Sequence, residues 1–395
     1  MAGLTSLGRR IGFRGLSAAA AALLAAPLGW KAFAGLYLWL SPFLLLNSAL
    51  ALRSFVELNA LGFLVLAAAL AQKRWFCRHL CPVGWGCDLA ASCRQRRNFS
   101  TAGFPHVGRW LAASSLAASC IGVPLFQILD PMALFHGFFT PLSAGISAGA
   151  LPGCLGLPLV WILSLWYPGL WCSRLCPLGG LQEEIAPIGR LLKPKAGKAD
   201  PASPTPGTRR RWLLSSLAAG VAAALLAPRA LASKKDYLRP PGSMPVDRFA
   251  ALCLRCGNCI RGCPTGILHH HMDAAEPISW MVPSIRFEQG YCLEPCNLCS
   301  RVCPSGAITL FDPAAKDRLP IGLAEIREEE CLLAKNRECD RCKASCRYRA
   351  IAMTARRGSL LTLPEVLPKK CVGCGACEVI CPTRAVRIRP GPPGT

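Results

Sequence analysis

The chain has 395 residues, 24 of them cysteine, with 52% hydrophobic residues, a mean hydropathy of +0.34 and a formal net charge of +23. Its length calls for two or more domains, and it carries no G-x-G-x-x-G after a strand, no P-loop and no hydrolytic constellation, which argues against nucleotide-driven and hydrolytic chemistry. The basic balance does not call for nucleic acid. Arg9, Arg10, Arg14, Lys73, Arg74, Arg94, Arg96, Arg97 and Arg209 to Arg211 flank apolar segments, where the positive-inside rule accounts for them.

In chain order, residues 1–190 are apolar and duplicated. Between 110 and 173 the one charged side chain is Asp130. Helices are expected over about 15–36, 55–72, 109–128 and 152–171, each near the ~20 residues a membrane crossing needs. The basic flanks would place the segments before the first helix, between the second and third, and after the fourth on the cytoplasmic side. Cys77-x3-Cys81-Pro82 with Gly84, and Cys172-x3-Cys176-Pro177 with Gly179, close the second and fourth helices. Four thiols on one face, related by a repeat, suit one further iron–sulfur site, or each pair contributes to a site with outside ligands, whereas structural cysteines explain neither the repeated Pro nor the repeated Gly. Asp130 and His136 are ionisable groups in an apolar stretch, and so candidates for taking protons from a quinol.

Residues 191–211 form a Pro-rich, basic linker. Residues 212–232 then read as a twin-arginine-type signal or anchor helix: Arg209 to Arg211, Trp212, an apolar core and the Ala230-Leu231-Ala232 end. A plain fifth transmembrane helix is the bland alternative.

Residues 233–395 carry four groups of four cysteines. They are Cys253/Cys256/Cys259/Cys263, Cys292/Cys296/Cys299/Cys303, Cys331/Cys339/Cys342/Cys346 and Cys371/Cys374/Cys377/Cys381. The first and fourth match the bacterial ferredoxin run C-x2-C-x2-C-x3-C-P; the second adds one residue, and the third has x7 first and Arg347 in place of Pro. Three closely spaced thiolates wrap one cubane, and the fourth, after x3, reaches its neighbour. Zinc sites use separated pairs, and a disulfide scaffold needs only an even count. Under the ferredoxin rule Cys303 joins Cys253, Cys256 and Cys259, while Cys263 joins Cys292, Cys296 and Cys299. Cys381 then joins Cys331, Cys339 and Cys342, while Cys346 joins Cys371, Cys374 and Cys377. Pairing the first group with the fourth and the second with the third uses the same sixteen ligands. His269, His270 and His271 read as a polar surface loop.

On these motifs, residues 1–190 resemble NapH-type quinol dehydrogenase components, whose Cys-x3-Cys-Pro pairs NosR-like and CcoG-like proteins share. Residues 208–395 resemble NapG/MauM ferredoxin-type proteins, including the irregular third group. A departure is that residues 177–207 carry no cysteine where NapH-type proteins have a ferredoxin segment of their own. The resemblance implies an α-helical membrane bundle of about four helices plus a fifth signal-anchor helix, followed by an α+β ferredoxin-like domain with four 4Fe–4S clusters. It implies a multi-pass protein of a bacterial inner membrane, with the polyferredoxin domain on the periplasmic side. Electrons would pass from quinol to an extracytoplasmic acceptor, such as a c-type cytochrome or reductase. The alternative is an electron-donating maturation or metal-cofactor assembly factor without quinol turnover.

Overall fold

A computed structural model of the chain describes residues 2–26, 33, 35–93, 101–141, 151–192, 210, 212, 214–222, 225, 237–273, 279–288, 290–355 and 362–391. The N-terminal half is helical, and proline opens four of its described helices. Helices α2 (Pro42–Leu52), α5 (Pro82–Ser92) and α7 (Pro131–Phe138) open on Pro, and each takes a side-chain cap from the residue before it: Ser41, Cys81 and Asp130. Proline suits the first turn because its missing N–H would be unpartnered there anyway, and the cap satisfies a second free donor. Helix α9 (Pro177–Leu192) starts in the same way after Cys176. Also in this half are α1 (Ala2–Ala25), α3 (Leu61–Ala71), α4 (Trp75–His79), α6 (Val107–Ser119), α8 (Leu151–Trp166) and a single helical turn over Leu36–Trp39.

The expected membrane bundle is not found among the described residues. Among the described residues no helix is long and apolar enough to cross a membrane. The apolar spans break into helices of 11 residues (α3), 13 (α6) and 16 (α8), against the ~20 needed. Helix α1 reaches 24 residues but carries Arg9, Arg10 and Arg14. The multi-pass inner-membrane localisation rested on those spans and falls with them. Much of the apolar content instead builds a core of Phe43, Leu44, Phe76, Met132, Leu157 and Leu178, with Cys81, Cys87 and Cys176 in its wall. Each large side chain buried there contributes about 1.5–3 kcal/mol.

Of the linker and signal helix, residues 193–209, 211, 213, 223, 224 and 226–232 lie outside the described residues, Arg209, Arg211 and Ala230 to Ala232 among them. Residues 214–222 are helical and pack on α6, where Ser114 donates to the Ser216 carbonyl at 3.2 Å.

The C-terminal half supports its cysteine loops on short helices and three two-stranded antiparallel sheets. The helices are α10 (Val246–Leu252), α11 (Asn258–Gly262), α12 (Leu298–Arg301), α13 (Arg341–Ser345) and α14 (Ala376–Ile380). Strand β1 (Leu268–His270) pairs with β2 (Pro283–Ile285), β3 (Leu323–Ile326) with β6 (Val386–Arg389), and β4 (Ile351–Ala355) with β5 (Thr362–Val366). The three histidines are therefore not a loop: His269 and His270 lie in β1, His270 is buried, and His271 stacks on Tyr237 at 4.4 Å between ring centroids. The two halves share packing, since Leu254 and Cys256 join the N-terminal core. Across the seam Asn59 donates to the Pro304 carbonyl at 2.6 Å, and Arg248 to the Ala51 carbonyl at 3.1 Å.

Candidate metal centres

Each C-terminal cysteine group folds to one plan. The third cysteine sits on a one-turn helix: Cys259 on α11, Cys299 on α12, Cys342 on α13 and Cys377 on α14. The fourth cysteine ends or closely follows that helix, and in three groups the next residue is Pro, which cannot extend it. Gly257 (φ +70°) and Gly375 (φ +86°) precede α11 and α14 in the left-handed region, where a side chain would be strained. That tight reversal brings the loop sulfurs to one side.

The structure collects cysteines across groups. Cys253, Cys256 and Cys259 line one cavity together with Cys303 of the second group. Cys292, Cys296 and Cys299 line another with Cys263 of the first. A third holds Cys331, Cys339 and Cys342 with Cys381 of the fourth group. Cys377 feels the charges of Cys374, Cys371 and Cys346. The first group thus sits with the second and the third with the fourth. All 24 cysteines are free thiols. Among the described residues, no three Cys, His, Asp or Glu side chains converge as donors to a single metal ion.

These surroundings fit a polynuclear, positively charged group. Burial pushes the Cys253 thiol up to about 11, Cys256 to about 12 and Cys342 to about 11. Without cations such thiols stay protonated, and an iron core would supply the charge that makes them thiolates. Hydrogen-bond donors already point at the sulfurs: the Ile308 N–H lies 3.4 Å from Cys303 Sγ and the Ala350 N–H 3.2 Å from Cys346 Sγ. The buried amide Nδ2 of Asn258, on the wall of the first cavity, has no partner of its own. Lys316 is a buried cation that donates to the Leu293 and Cys296 carbonyls.

One feature escapes the cysteine spacing. A hydroxyl sits two residues after three of the fourth cysteines: Thr265, Ser305 and Thr383, at 3.6, 3.8 and 3.6 Å from Cys263, Cys303 and Cys381. The recurrent Cys-Pro-Thr/Ser triplet was its signal in the sequence. At Cys381 burial works upward, yet the Thr383 hydroxyl and backbone amides outweigh it and hold the thiol below its ordinary value.

The N-terminal repeat also comes together. Cys81 caps α5, accepting from the Gly84 N–H at 3.3 Å; Cys176 caps α9, accepting from the Gly179 N–H at 3.4 Å. The two halves of the repeat therefore present sulfur in the same way. Cys77 accepts from Gln182 Nε2 at 3.4 Å, while Cys172 lies beside Cys87 and feels the charges of Cys81 and Cys176. Burial raises Cys77, Cys81 and Cys176. Beside this quartet Glu183 pairs with Arg74 at 2.7 Å and Arg109 at 2.8 Å. Helices α6 and α9 meet backbone to backbone, for a Cβ on Gly180 would stand 2.5 Å from the Gly108 carbonyl group.

Asp130 and His136 are both fully buried, which changes their reading as proton acceptors for an outside molecule. Asp130 caps α7 and accepts from Ser41 Oγ at 2.6 Å; burial raises it to about 6 against that bond. His136 faces Arg261 of the first cysteine group at 3.1 Å. A cleft of about 550 Å³ does open elsewhere on the seam, between Phe55, Glu57 and Leu58 on one side and Cys303, Gly306 and Ile308 on the other.

Comparison with known proteins gives the same chemistry for both halves. Residues 335–385 match a 4Fe-4S dicluster domain family, and residues 57–100 and 150–198 match a 4Fe-4S binding domain family. The methylamine utilization ferredoxin-type protein MauM of Methylorubrum extorquens is 34% identical over 202 residues, 48% of this chain and 90% of its own. Ferredoxin-type NapG of Escherichia coli is 34% identical over 174 residues, 42% of this chain and 74% of its own. Ferredoxin-type NapF of Escherichia coli is 30% identical over 150 residues, 38% and 82% respectively. These relatives support the ferredoxin-type reading of the C-terminal half. No solved structure matches.

Proposed function

The chain belongs to the family of ferredoxin-type iron–sulfur electron-transfer proteins that includes MauM, NapG and NapF, and we propose that it holds four 4Fe–4S clusters as a relay fed by quinol. The observation that carries the reading is that the fourth cysteine of one group lines the cavity of its neighbour. A 4Fe–4S cluster bound in such a set exchanges single electrons at a potential set by charge, hydrogen bonds and exposure. The four ligand sets are those read from the ferredoxin rule, with Cys303, Cys263, Cys381 and Cys346 as the crossing ligands. Cys77, Cys81, Cys172 and Cys176 are the ligands of a further site, which the backbone donors of Gly84 and Gly179 support.

The protein's own groups bind, shield and orient. Amides and hydroxyls beside Cys263, Cys303, Cys346 and Cys381 stabilise negative sulfur. Quinol would bind in the cleft beside Cys303, whose volume of about 550 Å³ lies within the range of small-molecule sites. Phe55 and Leu58 would hold its ring and Glu57 would take a proton. A c-type cytochrome or reductase is the acceptor class. The test is anaerobic stopped-flow reduction by a soluble quinol analogue, with dithionite as the reference. Clusters should reduce within seconds, and Leu58→Trp should slow quinol but not dithionite at least tenfold. Full clusters that quinol leaves oxidised would move the function to cofactor assembly or to a protein donor.

A further inference from the structure

Arg261 lies inside the first cysteine group, two residues after Cys259 and two before Cys263, yet it is only 7% exposed. A buried guanidinium is costly unless acceptors satisfy it. Its acceptors come from three places: the Ala25 carbonyl at the end of α1, the His136 ring on α7 and the Asn258 side chain on α11. The His136 contact is to Nδ1 at 3.1 Å, and burial with a cation beside it keeps that ring neutral. Nδ1 therefore accepts and the ring proton sits on Nε2. The N-terminal half thus supplies two of the three groups that hold the cation. Asn258, the third, also lines the cavity of Cys253, Cys256, Cys259 and Cys303. Arg261 Nε and Asn258 Nδ2 are buried donors without partners.

We infer that Arg261, clamped by Ala25, His136 and Asn258, is a positioning residue that raises the reduction potential of the cluster in the Cys253/Cys256/Cys259/Cys303 set. This rests on that set holding a cluster. Reduction adds a negative charge, and a fixed positive charge in a buried, weakly screened setting favours the reduced form. The acceptors from α1 and α7 tie this potential to the docking of the N-terminal half. Electrons entering at the seam would then be held by the first cluster rather than returned to their donor.

The test is EPR-monitored redox titration of the full chain, with iron and sulfide measured in each sample. In Arg261→Gln the reduced-to-oxidised ratio of one cluster at a fixed potential should fall about tenfold, equivalent to about 59 mV for one electron. Arg261→Lys keeps the charge and should stay within threefold of the parent. Arg318→Gln removes an exposed charge and should change no cluster more than twofold. Full iron in Arg261→Gln with every cluster within twofold overturns the inference. Loss of iron in both Arg261 variants also overturns it, since Arg261 would then be a strut. A parent chain without iron would fail the cluster reading itself, a separate result.

Discussion

Replacing Glu183 with Gln removes one charge from the centre of the N-terminal repeat. The Glu183 side chain is 8% exposed, and its oxygens lie 2.7 Å from Arg74 and 2.8 Å from Arg109. At such distances and an effective dielectric near 20, each contact is worth about 6 kcal/mol before desolvation. Desolvation returns most of that, but removing one partner strands the others, and the usual net cost is about 3–5 kcal/mol. Both guanidiniums keep 17% exposure, so water relieves part of the strain and about 3 kcal/mol is expected. The neighbouring Gln182 should shift with it, freeing Cys77 from its Nε2 donor and Phe76 N–H from its Oε1 acceptor. Urea unfolding followed by Trp fluorescence reads the first effect, and maleimide labelling of Cys77 the second. Burial pushes the Glu183 carboxyl up, but Arg74 and Arg109 outweigh it and hold it below 4.5. Its contribution is therefore present above pH 4.5 and lost as pH falls through the lower folded value, and the Gln variant should lack that acid-side slope. A loss under 1 kcal/mol with unchanged Cys77 labelling would refute the reasoning.

Gly180→Ala forces a Cβ to within 2.5 Å of the Gly108 carbonyl group. Backbone cannot yield as a side chain can, so a destabilisation of about 1–3 kcal/mol is expected in the same assay. Cys303→Ser should lower iron by about four atoms per chain and Cys263→Ser likewise, but each should remove a different cluster signal in EPR. Loss of the same signal in both would contradict the crossed ligand sets. Asp130 is raised to about 6 from 3.8, so the folded state binds its proton more tightly than the unfolded state. That contribution is present below pH 3.8 and lost as pH rises through about 6. Asp130→Asn should abolish that fall, read by urea unfolding between about pH 4 and 7.

The four ferredoxin-type cysteine groups of the C-terminal half were legible because a cubane's thiolates would constrain spacing itself. Cys253 to Cys263 and Cys371 to Cys381 each fix a loop, a one-turn helix and an outward fourth sulfur. Which groups pair was not legible, for the same sixteen thiols satisfy both pairings; contact between distant loops decides that. Hydropathy misled in the N-terminal half. It measures apolar length, and there the helices stop short of a crossing: α3 starts only at Leu61 after a 3-10 turn over Glu57–Ala60, α6 ends at Ser119 ahead of Gly122 (φ +92°), and α8 ends at Trp166 ahead of Gly169 (φ +75°). Leu64, Leu155, Leu159 and Trp166 remain exposed while Phe43, Phe76 and Leu157 are buried, so the same composition serves surface and core alike. Asp130 read as a proton acceptor because it is the one charge in its stretch; in the fold it is a capping carboxyl bound to Ser41. Arg261 was hidden among ordinary basic residues, since nothing local marks a cation that a distant helix will bury.

The most direct test of the electron-carrier reading is anaerobic purification of the whole chain, with iron, sulfide and zinc analysis and EPR after dithionite reduction. About sixteen iron atoms per chain with matching sulfide, rising towards about twenty if the N-terminal quartet is filled, and reducible 4Fe–4S signals are expected. Zinc in place of iron, or little of either metal in a folded, carefully anaerobic preparation, would contradict it.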